Sequence, residues 1–295
     1  MSEYIISCCS TVDLPPEYLE KIRVQSVPFH YAVDGQWYKE GQDESVPMEA
    51  FYRAMEEGAE TNTSQVNAEE YRGHFLRFLQ QGKDILHITL SGGLSGTVNS
   101  ARIAAEMLRE SFPERRIEVI DSLSASSGYG MLVDKAAELR DGGMPLEEVA
   151  GWIEENRLRL QHWFFSTSLK YYVRGGRISR AAGLVGGMLG ICPLLRMDEM
   201  GKLVPVERVR TKRKVREAIV KKMSEMADKL TETGKCFISH SGCPEDAHAV
   251  AELVGNMYRK LQVQIFEVGT VIGSHTGPGT VALFFWGKHR SEYKG

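Results

Sequence analysis

The stretch DILHITLSGGLSGTVNSARIAAEMLRE, residues 84–110, decides the fold. Asp84 to Leu90 reads as a buried strand, and Ser91 to Thr97 follows as a loop of glycines and hydroxyls. From about Thr97 to Glu110 the apolar residues Val98, Ala101, Ala105 and Leu108 recur at helical spacing. Strand, loop and helix in that order are the unit of a parallel sheet, whose ligands collect at the carboxyl ends of its strands.

The same unit repeats on either side. Tyr4 to Ser7 is a short apolar run that ends in Ser10-Thr11-Val12-Asp13, and Arg116 to Ile120 is a strand that ends at Asp121-Ser122. Ser10, Ser95 and Ser122 are therefore expected on one rim. A helix carrying Met131, Leu132, Lys135, Ala136 and Leu139 stops at Gly142-Gly143, and Pro145 opens another over Leu146 to Asn156. Past residue 160 the alternation is less regular. It runs through His162 to Thr167, the Gly-rich segment Gly175 to Gly190, a basic helix over Thr211 to Leu230, a strand Lys235 to Ser239, a helix Asp246 to Lys260, and strands Gln264 to Val268 and Thr280 to Trp286. The expected architecture is α/β in two domains, a parallel-sheet domain over residues 1–160 and an α+β domain over 161–295.

Composition narrows the function. With 42% hydrophobic and 25% charged residues the chain is globular, and a net charge of −3 argues against bulk attraction to nucleic acid or anionic lipid. The amino terminus lacks the basic flank of a signal peptide, and the uncharged, Gly-rich stretch Ala181 to Leu195 is too short to span a bilayer. Five cysteines without a framework read as reduced thiols, so a cytoplasmic protein with no transmembrane segment is expected.

Four motifs carry candidate chemistry. Ser91 to Thr97 sets backbone and hydroxyl donors at a helix amino terminus, suited to a carboxylate or phosphate; the alternative reading is Ser95 or Thr97 as a plain helix cap. It lacks the lysine of a P-loop. Thr61-Asn62-Thr63-Ser64-Gln65 reads as a polar loop before a helix capped by Asn67 with Glu70, and secondarily as an oxygen-rich ligand site. Gly273 to Gly279 reads as a tight turn that holds His275, an acid, base or anion donor. Arg174 and Arg177 flank Gly175-Gly176, beside a Gly-rich apolar run that either packs closely or leaves a slot for an apolar ligand. Arg208, Arg210, Lys212, Arg213, Lys214 and Arg216 form the one strong basic patch, a solvated face or a docking surface. Cys236, His240, Cys243 and His248 are zinc-type ligands without zinc-type spacing, so no metal is expected.

In chain order these motifs resemble those of the DegV family of bacterial lipid-binding proteins. The matching residues are Ser10-Thr11-Val12-Asp13-Leu14, Thr63-Ser64-Gln65, Leu94-Ser95-Gly96-Thr97, Asp121-Ser122, Gly175-Gly176-Arg177-Ile178, Val209-Arg210 and His275-Thr276-Gly277-Pro278-Gly279. The resemblance implies two α/β domains with a long acyl chain, such as palmitate or oleate, between them. It implies a carboxylate held by Thr63 and Ser95, with Ser64, Gly96, Thr97 and His275 around it, and no cofactor. It further implies that the protein is no enzyme itself but presents the fatty acid to a separate ATP-binding kinase subunit, with Arg177, Arg210 and His275 facing that partner. Three residues depart from the family pattern: Cys9 replaces an aspartate, Val66 a proline, and Gly92 a serine. The rival reading is an acyl hydrolase with Ser95 as nucleophile and His275 as base, although Gly93-Leu94-Ser95-Gly96 is not a G-x-S-x-G elbow. A nucleic-acid regulator would rest on the basic patch alone, without a helix-turn-helix.

Overall fold

The computed structural model describes residues 3–42, 46–179, 190–229, 231 and 234–294. Strands β1 (Tyr4–Cys9), β2 (Val24–Val27), β6 (Asp84–Thr89) and β7 (Ile117–Asp121) form a wholly parallel sheet in the order β2-β1-β6-β7. Alternate side chains serve different cores, as the period of two requires. Ile6, Cys8, Leu86 and Ile88 pack with helices α5 (Ser126–Asp141) and α6 (Leu146–Asn156). Cys9 and Ile85 point the other way, into a core shared with α3 (Ala68–Leu79) and α4 (Thr97–Arg109). Burial on both faces explains why these strands read as apolar runs rather than alternating ones.

A second sheet has six strands in the order β10-β9-β8-β13-β11-β12. It comprises β8 (Leu160–Ser166), β9 (Ile191–Met197), β10 (Leu203–Arg210), β11 (Lys235–His240), β12 (Gln262–Glu267) and β13 (Thr280–Trp286), antiparallel except for β11–β12. Trp163, Phe165, Leu283 and Phe285 on its outer face bury against α8 (Lys212–Met226) and α9 (Pro244–Met257). Phe164, Ala282 and Phe284 on its inner face join the core around α5, which thus lies between the two sheets. Close approach there needs small residues: a Cβ on Gly130 would lie 2.9 Å from Leu14 Cγ, and one on Gly128 2.5 Å from Phe284 Cδ1.

Several elements differ from the sequence reading. Thr61–Ser64 is a strand, β5, not a loop. It pairs with β3 (His30–Val33), which also carries β4 (Gln36–Lys39), in a small antiparallel sheet. The helix after it does begin at Asn67, with a complete capping box to Glu70. Gly273 to Thr276 belongs to a short helix, α10 (Thr270–Thr276), and only Gly277, at φ +69°, begins the turn. The helix persists despite its glycine because Glu40 accepts hydrogen bonds from Thr270 Oγ1 (3.0 Å) and the Val271 amide (2.8 Å). Of the Ala181 to Leu195 run, residues 181–189 lie outside the described residues, so the slot expected at Gly183, Gly186 and Gly187 does too. Residues 191–195 are β9, an extended strand. Short helices α1 (Pro16–Lys21), α2 (Met48–Glu57) and α7 (Lys170–Arg174) complete the set named here. No helix among the described residues is long and apolar enough to cross a membrane.

Candidate functional site: a cavity with one polar end

A cavity of about 460 Å³ opens between the inner face of the six-stranded sheet and the rim of the parallel sheet. Most of its wall is apolar: Phe29, Leu90, Leu94, Phe164, Tyr172, Met197, Leu203, Val271, Ile272, Ala282 and Phe284. The polar lining includes Thr63, Ser64 and Gln65 from β5 and its end, Ser95 and Gly96 from the loop after β6, and Arg177, His275 and Thr276.

The loop bearing Ser95 is held from three sides. Ser91 Oγ donates to the Gly201 carbonyl (2.8 Å) and accepts from the Gly93 amide (3.1 Å), while the Gly92 amide donates to the Asp121 carboxylate (3.0 Å). A Cβ on Gly92 would lie 2.5 Å from Asp121 Oδ2, and one on Gly93 2.6 Å from the Met200 carbonyl. The serine expected at position 92 therefore has no room here. Ser95 Oγ donates to Gln65 Oε1 (3.1 Å) and accepts from the Thr97 amide (3.3 Å), and Gln65 is itself anchored through Nε2 on Ser100 Oγ (3.1 Å).

Thr63 and His275 meet at 2.8 Å between Oγ1 and Nε2. Arg177 Nη1 lies 3.5 Å from His275 Nδ1. A guanidinium only donates, so Nδ1 accepts and the ring proton sits on Nε2, donating to Thr63 Oγ1. The Thr63 hydroxyl proton is left free to bond a ligand in the cavity. Burial, then the charges of Arg177 and Arg174, hold the His275 pKa down to about 4, so the ring is neutral at pH 7. Burial alone lowers Arg177, whose guanidinium nonetheless stays charged and gives this end its positive field.

Thr63, Ser64, Ser95, Gly96, Arg177 and His275 thus come together as one end of the cavity. Thr97 does not join them: its buried hydroxyl bonds Tyr71 (2.7 Å), which also contacts the thiol of Cys9 (3.1 Å). Burial pushes that thiol up to about 11, so Cys9 is an uncharged packing group where the family pattern has a carboxylate. Val66 is fully buried in the same core. Arg210 is exposed at the end of β10 and does not line the cavity. The basic patch is partly neutralised, because Lys212 and Arg216 both pair with Asp246. The Ser–His pair of a hydrolase is not assembled, since Ser95 bonds Gln65 and His275 bonds Thr63. Residues the sequence left unassigned are Thr276, whose Oγ1 is buried without a partner, and His162, deep in the wall.

A protein-family model described as "Uncharacterised protein, DegV family COG1307" matches residues 6–288. A DegV domain-containing protein of Clostridium perfringens is 34% identical over 287 residues, 97% of this chain and 98% of the relative. Among solved structures, one described as "Fatty Acid Binding of a DegV family Protein from Thermus thermophilus" superposes with a TM-score of 0.86 at 30% identity, covering 97% of this chain and all (100%) of the other. A Thermotoga maritima protein described as one that "reveals fatty acid binding function" gives a TM-score of 0.81 at 28% identity, covering 97% and 100%. With the matched segment running from the first strand to the last, and with the cavity at its centre, this chain belongs to the DegV family.

Proposed function

We propose that this protein binds one long-chain fatty acid, without chemically altering it, with the carboxylate between Thr63 and Ser95 and the tail along the apolar wall. The observation that carries the reading is a cavity of about 460 Å³ with donors and a cation at one end and mostly aliphatic and aromatic side chains along the rest. Burying about fourteen methylenes at ~0.8 kcal/mol each supplies roughly 11 kcal/mol before ordering costs. Protein purified from a bacterial host is expected to carry about one long-chain fatty acid per chain, read by mass spectrometry of its organic extract. Well-folded protein whose extract is clean, and which ignores added palmitate and oleate, would refute the reading.

The same geometry supports a carrier that presents its carboxylate to a separate ATP-binding kinase subunit. Arg177 and His275 stand at the head-group end, where charge would build during phosphoryl transfer. Arg210 lies on the exposed end of β10, where it touches no ligand in the cavity. Arg210→Ala is accordingly expected to keep its lipid while losing acyl-phosphate formation with a cognate kinase. Undiminished turnover in that variant would place the docking face elsewhere. Buried free thiols at all five cysteines fit a reducing, cytoplasmic setting.

A further inference from the structure

The Ser95 hydroxyl carries a single proton, and in the structure that proton is already committed. Oγ donates to Gln65 Oε1 (3.1 Å), while the Thr97 amide donates to the same oxygen (3.3 Å). A carboxylate only accepts. Placed against Ser95, it would meet lone pairs, with those of Gln65 Oε1 beside them, and no proton. Ser95 therefore serves a carboxylate only once its proton is released, and the residue that holds it is Gln65.

Gln65 directly follows β5, two residues after Thr63, and lines the same cavity. The other end of its amide, Nε2, donates to Ser100 Oγ in the first turn of α4 (3.1 Å). Both ends of the amide thus face a hydroxyl, and a hydroxyl can donate or accept. A half-turn about the last side-chain bond exchanges Oε1 and Nε2. Nε2 then donates to Ser95 Oγ, Ser100 donates to Oε1, and no hydrogen bond within the protein is lost. That terminal torsion is broad and two-fold, so the turn costs little. Position 96 beside the amide is a glycine. A Cβ there would lie 3.2 Å from Oε1 and 3.5 Å from Nε2, so the missing side chain leaves the amide its room. In the turned arrangement Ser95 accepts from Gln65 and Thr97 on its two lone pairs, and its proton is free for a ligand in the cavity. Resting on the fatty-acid reading above, we infer that Gln65 is a positioning residue for the head group, whose side-chain amide turns over as a fatty acid enters and so redirects the Ser95 proton from Gln65 to the carboxylate.

The test is a pair of double-mutant cycles on the delipidated full chain, titrated with palmitate and with hexadecanol. Gln65→Glu keeps the size of the side chain but can only accept, so it holds the Ser95 proton in place. It is expected to weaken palmitate by at least about tenfold and hexadecanol, whose hydroxyl can donate to it, by less than about threefold. Gln65→Leu has nothing with which to hold that proton. Ser95→Ala should therefore cost palmitate binding about tenfold in the unaltered protein and in Gln65→Leu, but less than about twofold in Gln65→Glu. The charge added by Gln65→Glu repels palmitate whatever Ser95 does, so the cycle decides rather than the single variant. If Gln65→Glu does not fold, Gln65→Leu stands alone, and no cost of Ser95→Ala in it overturns the inference. An equal cost of Ser95→Ala in all three backgrounds, parental affinity in Gln65→Glu, or a matched loss of palmitate and hexadecanol also overturns it, while leaving the fatty-acid reading intact. Failure of the unaltered protein to bind palmitate overturns both.

Discussion

Removing the hydroxyls of Thr63 and Ser95 together is expected to weaken fatty-acid binding by about a hundredfold, with a smaller fall in stability from the His275 and Gln65 hydrogen bonds that lose a partner. Each hydroxyl, if lost, leaves a desolvated carboxylate oxygen underpaired at a cost of about 1–3 kcal/mol. The two act on one carboxylate, so their effects are not expected to add fully. Neither side chain belongs to a hydrophobic cluster. Both are partly exposed, Thr63 on a strand and Ser95 in a loop, and the backbone hydrogen bonds there do not use the hydroxyls, apart from the Thr97 amide on Ser95. Calorimetric titration of Thr63→Ala, Ser95→Ala and the double variant, with thermal melts alongside, separates binding from folding. Parental affinity in the double variant would put the head group elsewhere. A matched fall in affinity and stability would make the pair structural.

Why these two residues were legible in the sequence, and their setting was not, follows from range. The strand, loop and helix of residues 84–109 are local: a fully buried parallel strand reads as an apolar run, and glycines mark the close approach to Asp121 and Met200. Pro145 and the Asn67–Glu70 box fix helix starts by chemistry within four residues. By contrast, β5 is a four-residue polar edge strand, visible only once β3 supplies its hydrogen bonds from thirty residues away. Thr63 and His275 are 212 positions apart, and only the meeting of β5 with α10 joins them. Thr97 misleads for a related reason: a threonine at a helix start looks the same in sequence whether it faces a ligand or, as here, Tyr71. His162 carries no local signal beyond being a polar residue in an apolar strand, because the partner of its ring, Arg290, comes from the far end of the chain.

Acidification is expected to destabilise the protein steeply between about pH 6.5 and 4, and the sign follows from which groups are buried uncharged. Burial lowers His74 to about 3 and, with Arg177 and Arg174, His275 to about 4. His87 and His162 lie well below the ordinary value, again through burial first. In the unfolded chain all four titrate near 6.5. Below that pH the unfolded state binds protons the folded state refuses, so stability is complete above about 6.5 and drains as pH falls towards the folded values. Each such histidine contributes a slope of ~1.4 kcal/mol per pH unit within its window. One buried pair works in the opposite direction. Asp13 and Glu40 both approach the Cβ position of Gly269 within 2.7 Å, and burial raises both, with Glu40 adding its repulsion to Asp13. Carboxyls raised in this way hold protons that the unfolded chain has lost, so their contribution is fully present below about 4 and declines as pH rises. The buried histidines, joined by the half-buried His240, outnumber the raised carboxyls, Glu267 included, so acidification brings a net loss of stability. Urea denaturation at a series of pH values, on protein of constant lipid content, measures that slope directly. Asp13→Asn, which removes one opposing carboxyl and keeps its shape, should steepen it. Stability that stays flat from pH 7 to 5 would mean that these imidazoles are charged and paired in the folded protein, and that the neutral Nε2–H assigned to His275 is wrong.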